Sequence, residues 1–132
     1  MSTKTEKKKL GDLIVSEWDP RLSRAPHTFR QASGSTADFT IGHVCVISSS
    51  KMVPATGTTF SGILLANVED LATATDLTNQ PFLTRGPAVI NKDQLVWDAD
   101  ADSSDQTAIL AAMLALGIQV VEQPDNTETA GT

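Results

Sequence analysis

The 132-residue sequence predicts a small, mainly β domain with one short helix near its C-terminus and an extended N-terminal arm. Three observations predict it. Short β-branched and aliphatic runs recur at close spacing, separated by Gly, Pro and Ser clusters. A single stretch, Asp105 to Leu116, keeps apolar residues at helical spacing. The first two dozen residues are mostly polar and charged, with Leu13-Ile14-Val15 and Trp18 standing out. The boundaries that follow are a flexible arm over 1–24, a β domain over 25–122 and a polar tail over 123–132.

The apolar residues of the arm need a surface to lie against, either the domain itself or a partner. Leu13 to Val15 could add as a strand to an exposed sheet edge, where backbone pairing demands no particular sequence. Pro20 and Pro26 mark the exit from the arm, and the first body strand is placed at His27–Gln31, before a turn at Ser33-Gly34-Ser35. Phe39-Thr40-Ile41 and Val44-Cys45-Val46-Ile47 meet across Gly42, which marks a bend between two strand pieces. Ser48 to Lys51 turns the chain into Met52-Val53, and Pro54 to Thr59 is loop. Ile63 to Val68 is a strand apolar enough to be buried on both faces. Glu69 to Thr78 is either strand or irregular connection, anchored by Leu71 and Leu77. Phe82 to Ile90 is a strand interrupted at Gly86-Pro87; proline cannot donate to a ladder, so the interruption belongs at an edge or a bulge.

Asn91 to Asp102 is expected to be loop. Ser103 or Ser104 then caps the helix, and Gly117 takes the left-handed position past its end. Ile118 to Val121 closes the body as a strand. On the helix, Ile109, Met113 and Leu116 form one stripe, Leu110, Leu114 and Gly117 the next, and alanines fill most of the rest. A helix lying on a single sheet carries a polar outer face, and this one has almost none after Thr107. Burying each further Leu-sized side chain is worth about 1.5–3 kcal/mol, so two apolar stripes imply two covering surfaces. One is the domain's own sheet and the other a second copy of the chain; a homo-oligomer is expected.

Composition narrows the functional classes. With 40% hydrophobic residues but only 5% aromatics and no tyrosine, the core must be built from Val, Ile, Leu and Ala. A domain of this size buries a modest fraction of its surface, and association adds to it. Four lysines against Glu6 give the first nine residues +3, so the rest carries −9 of the formal net charge of −6. An acidic body lacks the clustered Lys and Arg that phosphate neutralisation needs, and a terminal lysine run reads as a solvated tail, so no nucleic-acid partner is expected. No run reaches the ~18 apolar residues of a membrane span, and Leu10 to Val15 is too short and too broken by Asp12 for a signal sequence. Synthesis in the cytosol is expected, with no membrane partner.

Chemistry-bearing constellations are weak. Asp98, Asp100 and Asp102 have the opening spacing of a calcium loop, but Ser103 stands where the turn needs Gly and Ile109 where the bidentate Glu belongs. His43 and Cys45 share a strand face, with only His27 left as a further soft ligand. Cys45 excludes an intrachain disulfide and lies in an apolar run, as a buried thiol does. No nucleophile elbow, phosphate loop or dinucleotide fingerprint is present. No catalytic, cofactor-binding or metal site is therefore expected. Arg85 is the notable single charge: it either pairs or snorkels within the body, or anchors a partner.

Gly42-His43-Val44, Gly62-Ile63-Leu64-Leu65, Leu83-Thr84-Arg85-Gly86-Pro87-Ala88-Val89-Ile90 and Leu114-Ala115-Leu116-Gly117-Ile118 follow one another in an order and spacing that resembles the bacteriophage lambda head decoration protein D family. The resemblance covers Ser16 to Glu122. It implies a β-tulip-like domain that forms homotrimers at threefold and quasi-threefold positions of an expanded phage head. There such proteins cement the major capsid protein against the pressure of packaged DNA, on the outer surface of a virion assembled in the host cytoplasm. It also implies that the arm engages the capsid, with Leu13, Ile14, Val15 and Trp18 as contacts. Arg85, Leu110 and Leu114 become candidates for intersubunit or capsid contact, and Trp97 for capping the core or the trimer seam. The longer, lysine-rich start departs from the family pattern. A different reading of the same residues is a small oligomeric binding module with a non-capsid partner.

Overall fold

Ten strands and one long helix make up most of the described residues, 13–31, 36–72, 75–98 and 101–122 of the computed structural model. In order they are β1 (Ile14–Glu17), a single turn α1 (Pro20–Ser23), β2 (Arg24–Arg30), β3 (Ala37–Phe39), β4 (Val44–Ser48), β5 (Lys51–Pro54) and β6 (Gly62–Leu64). Then come β7 (Val68–Leu71), β8 (Asp76–Leu83), β9 (Ala88–Asn91), a 3-10 turn (Lys92–Gln94), α2 (Ser103–Ala115) and β10 (Ile118–Val121). The mainly β class with one C-terminal helix is the one the sequence predicts.

Strands β2, β5, β4, β6 and β8 close into a barrel, β1, β9 and β10 form a three-stranded sheet, and β3 pairs with β7. Two cores result. Phe29, Cys45, Met52, Leu64 and Phe82 cluster with Phe39, Val68 and Leu71 of the β3–β7 pair. Val44, Ile63 and Leu83 instead join Leu13, Ile90, Ile109, Met113 and Ile118 in a second cluster that unites barrel, sheet and helix. Because successive side chains on a strand point to opposite faces, β4, β6 and β8 each serve both cores. This is why Ile63-Leu64 carries no polar face. The barrel seam is its thinnest join: β2 and β5 share one registered pair, Phe29 with Met52. Asp76 of β8 staples that seam, accepting from Lys51 Nζ at 2.8 Å and lying 3.6 Å from Arg30 Nε.

Three irregularities re-aim side chains. Between His27–Gln80 and Phe29–Leu77 the β8 strand holds an extra residue, and Asn79 takes φ 57° there. Between Ala37–Leu71 and Phe39–Val68 the extra residue is on β7, where Asp70 has φ 55° and donates its N–H to Asp38 Oδ1 at 2.8 Å. Between Ile14–Ile90 and Ser16–Val89 it is on β1, and the unpaired residue is Val15. Such bulges bend a strand and turn one side chain out of the alternation.

Several expected boundaries shift. Ile63 to Val68 is two strands, because the chain leaves the barrel after Leu64 and enters the β3–β7 pair at Val68. Phe82 to Ile90 is also two, with Thr84 to Pro87 between them, so Arg85 lies in a turn and not inside an apolar strand. The first body strand begins at Arg24, three residues early. The turn expected at Ser33-Gly34-Ser35 falls outside the described residues. The helix starts at Ser103 with Asp102, not a serine, as its cap: Asp102 Oδ1 accepts from the Asp105 N–H at 2.9 Å, and Asp105 Oδ2 accepts from the Asp102 N–H at 3.3 Å. This reciprocal pair satisfies two orphan donors at once.

Candidate functional site

The arm expected over 1–24 does not end where it was drawn. From Leu13 onward it belongs to the body. Leu13 is fully buried, Ile14 packs against the same core, and β1 pairs antiparallel with β9. Its far end is clamped by Glu17, whose side chain is 6% exposed. Arg24 donates to it from Nη2 at 2.6 Å and from Nε at 2.9 Å, and Ser23 Oγ donates at 2.5 Å. The Arg24 guanidinium, helped by Ser23 and opposed by burial, holds the Glu17 carboxyl below the usual carboxylate value. Residues seven apart are joined here because α1 reverses the chain between them.

Immediately past this clamp, Trp18 is 75% exposed. Its backbone N–H donates to the Pro87 carbonyl at 3.1 Å, and two further backbone bonds lace the same end of the sheet: Gly86 N–H to Leu116 O at 2.9 Å and Ala88 N–H to Gly117 O at 3.3 Å. The closeness depends on two glycines. A Cβ on Gly86 would overlap the Gly117 carbonyl, and Gly117 itself has φ +88°. The Gly86–Pro87 peptide is cis. Two of the motifs that carry the family resemblance, Leu83–Ile90 and Leu114–Ile118, therefore meet backbone to backbone. The register aligns Glu17, Ala88 and Ile118, so the end of β1 and the starts of β9 and β10 lie side by side. Arg85, Pro87 and Leu116 are exposed there beside Trp18.

A second surface runs along β10, which pairs with β9 on one side. Between β10 and α2 lies an open groove of about 360 Å³ lined by Lys92, Leu110, Leu114, Ile118, Gln119 and Val120. Ile109 and Met113 are buried and so form the inner stripe of the helix, whereas Leu114 is 66% exposed. Leu116, placed on the same stripe as Ile109 and Met113 from sequence, is 43% exposed because it is the C-cap and the chain has already begun to turn.

The residues singled out from sequence thus separate into three positions. Leu13 is fully buried in the core and so closed to a partner in this arrangement, and Ile14 is partly buried against the same core. Val15, Trp18 and Arg85 face outward, the first through its bulge. Leu110 and Leu114 line the groove. Trp97 is partly buried and packs against the core. Glu17–Arg24, Pro87 and Leu116 were missed. Opposite charges flanking a proline were the available signal for the clamp; nothing in the sequence marks Leu116 as exposed.

Of the remaining constellations, Asp100 lies outside the described residues. Cys45 is fully buried and desolvation pushes its thiol far up, away from the thiolate a nucleophile needs. His43 is packed edge-on against Phe39, ring centroids 5.1 Å apart. Asp102 is occupied in capping, and among the described residues no three His, Cys, Asp or Glu side chains are grouped to hold a metal ion. Among the described residues no helix is long and apolar enough to cross a membrane.

Comparison with curated proteins gives no match. The family model described as bacteriophage lambda head decoration protein D matches residues 3–118, nearly nine-tenths of the sequence. That span takes in the clamp, the barrel and the paired glycine turns, and the chain belongs to the bacteriophage lambda head decoration protein D family.

Proposed function

We propose that this protein sits as a trimer on the outer surface of an expanded phage head, at threefold and quasi-threefold positions. There it ties neighbouring major capsid proteins together against the pressure of packaged DNA. The observation that carries this is the family match across residues 3–118, which supports capsid decoration, binding to the phage capsid and a place in the virion. The family's role is structural, and it favours assembly over catalysis.

A cement needs two kinds of contact, to its own copies and to the shell. The groove along β10 is our choice for the first. The helix beside it carries no charge from Gln106 to Gly117, so a copy covering that helix desolvates no ion on it, and Lys92 is the charged side chain in the groove lining. Val15 and Trp18 are our choice for the second, because tryptophan is favoured where a few residues supply most of the binding energy.

The test mixes purified protein with empty heads before and after expansion, alongside light scattering on the free protein. Cosedimentation with expanded heads and a trimer mass are expected. Failure to cosediment with either head form would end the capsid reading, and a monomer would remove the trimer from it. Truncation should stop at Asp12, since removing Leu13 and Glu17 would take a core side chain and the clamp with it.

A further inference from the structure

Among the described residues the exposed large apolar side chains are Val15, Trp18, Ile47, Leu114 and Leu116. Trp18 and Leu116 come from opposite ends of the chain, yet stand at one end of the three-stranded sheet, separated by two backbone hydrogen bonds through Gly86-Pro87. Large apolar side chains gathered at one place mark an interaction surface, whereas scattered ones need no explanation. The charge there is also distinct. Arg24 is paired with Glu17 and Arg21 with Asp19, while Arg85 is exposed at the same end of a protein of net −6.

We infer that Trp18, Arg85, Pro87 and Leu116 form one composite dock for the major capsid protein, with Trp18 and Leu116 entering an apolar site and Arg85 meeting a carboxylate at its rim. This rests on the capsid-decoration reading and assigns Arg85 and Leu116 to the shell, not to a sister copy. The sister copy has a different surface available in the largely apolar groove along β10. An arginine beside an exposed tryptophan fits a partner that is apolar at its centre and acidic at its edge, the arrangement in which rim charge sets register and encounter rate. The glycine contact behind the dock fixes its shape. Trp18 is tied to Pro87 and Leu116 to Gly86 by backbone hydrogen bonds, so both apolar residues are held to the one turn that also carries Arg85.

The experiment measures binding of the full-length protein to expanded heads by cosedimentation, with light scattering and a thermal melt on each variant. Trp18→Ala should weaken binding by about thirtyfold or more, as for a central aromatic anchor. Leu116→Ser and Arg85→Glu should each weaken it by roughly tenfold, Arg85→Lys should retain most of it, and added salt should narrow the gap between Arg85→Glu and wild type. Ile47→Ser, outside the dock, should bind as wild type. Oligomer mass and melting should be unchanged throughout. Wild-type binding with Arg85→Glu and Leu116→Ser at full affinity would overturn the composite dock and leave the capsid reading standing. Loss of the oligomer in these two variants would instead assign the surface to a sister copy and overturn it equally. If wild type itself fails to bind, the capsid reading falls and the dock with it.

Discussion

Alanine at Gly86 should cost this protein far more than alanine at Gly117, although the two glycines touch. At Gly117 an added Cβ meets Gly86 no closer than 3.4 Å, an ordinary contact, so the penalty is conformational. Holding a non-glycine residue at φ +88° costs about 1–2 kcal/mol. At Gly86 the Cβ overlaps the backbone carbonyl of Gly117, which no side-chain rotation can relieve. The two turns must part, straining or breaking the bonds from Gly86 N–H at 2.9 Å and Ala88 N–H at 3.3 Å. Each bond is worth about 1 kcal/mol net, and overpacking adds ~1–3 kcal/mol. The expected loss is therefore about 3–5 kcal/mol for Gly86→Ala, a large part of a typical domain's stability. In melting temperature that is roughly 15 °C or more, against about 5–10 °C for Gly117→Ala. Circular dichroism melts at one fixed protein concentration would measure both. A Gly86→Ala protein melting within a few degrees of wild type, or above Gly117→Ala, would refute the backbone-contact argument.

Other outcomes follow from the same geometry. Glu17→Gln should destabilise by about 2 kcal/mol, since it replaces charge-assisted hydrogen bonds to Arg24 by neutral ones. Because the folded-state pKa of Glu17 lies below its ordinary 4.5, its contribution is present above that value and is lost as pH falls through the lowered one. Urea titrations of wild type and Glu17→Gln should therefore converge on acidification below about pH 4.5, and a gap unchanged down to pH 2 would contradict the clamp. Asp102→Ala should lower the urea midpoint through the lost capping box, and Asp102→Ser should recover most of it in the same titration. Cys45 should stay unreactive to a disulfide-exchange reagent in the native state and react fully in denaturant; rapid native labelling would show the barrel core to be open.

What could be read from sequence was whatever depends on local chemistry. The Gly42 bend, the Ser49-Ser50 hairpin, the helix with its Gly117 stop and the closing strand Ile118–Val121 all stand where residue type places them. The doubly buried Ile63-Leu64 was legible because an unbroken apolar pair needs cover on both sides. What failed depends on pairing between distant segments. Leu13–Val15 gave no sign of whether its edge would be the domain's own β9 or a partner's. Val15 looked like its neighbours and is exposed only because a bulge inserts it between two pairs with β9. Leu116 follows the helical stripe of Ile109 and Met113, but the helix ends one residue before it. For the candidate surfaces, residue type nominated Trp18, Arg85 and Leu114. That Trp18 and Arg85 share one end of a sheet is a property of the register of β1, β9 and β10, which no single segment encodes.

The antiparallel seating of β1 has a mechanical side. The chain enters the fold at Leu13, and the strand that follows lies alongside β9 with its clamp at the far end, Glu17 on Arg24. A pull directed along that strand from the N-terminal side loads the ladder in shear, so its bonds resist together and do not open in sequence. Before the strand can slide, Leu13 must be drawn from a core it shares with Ile63 and Leu83, two walls of the barrel. Resistance to such a pull is a matter of unfolding rate, not equilibrium stability. A strand anchored this way hands its load to the whole domain.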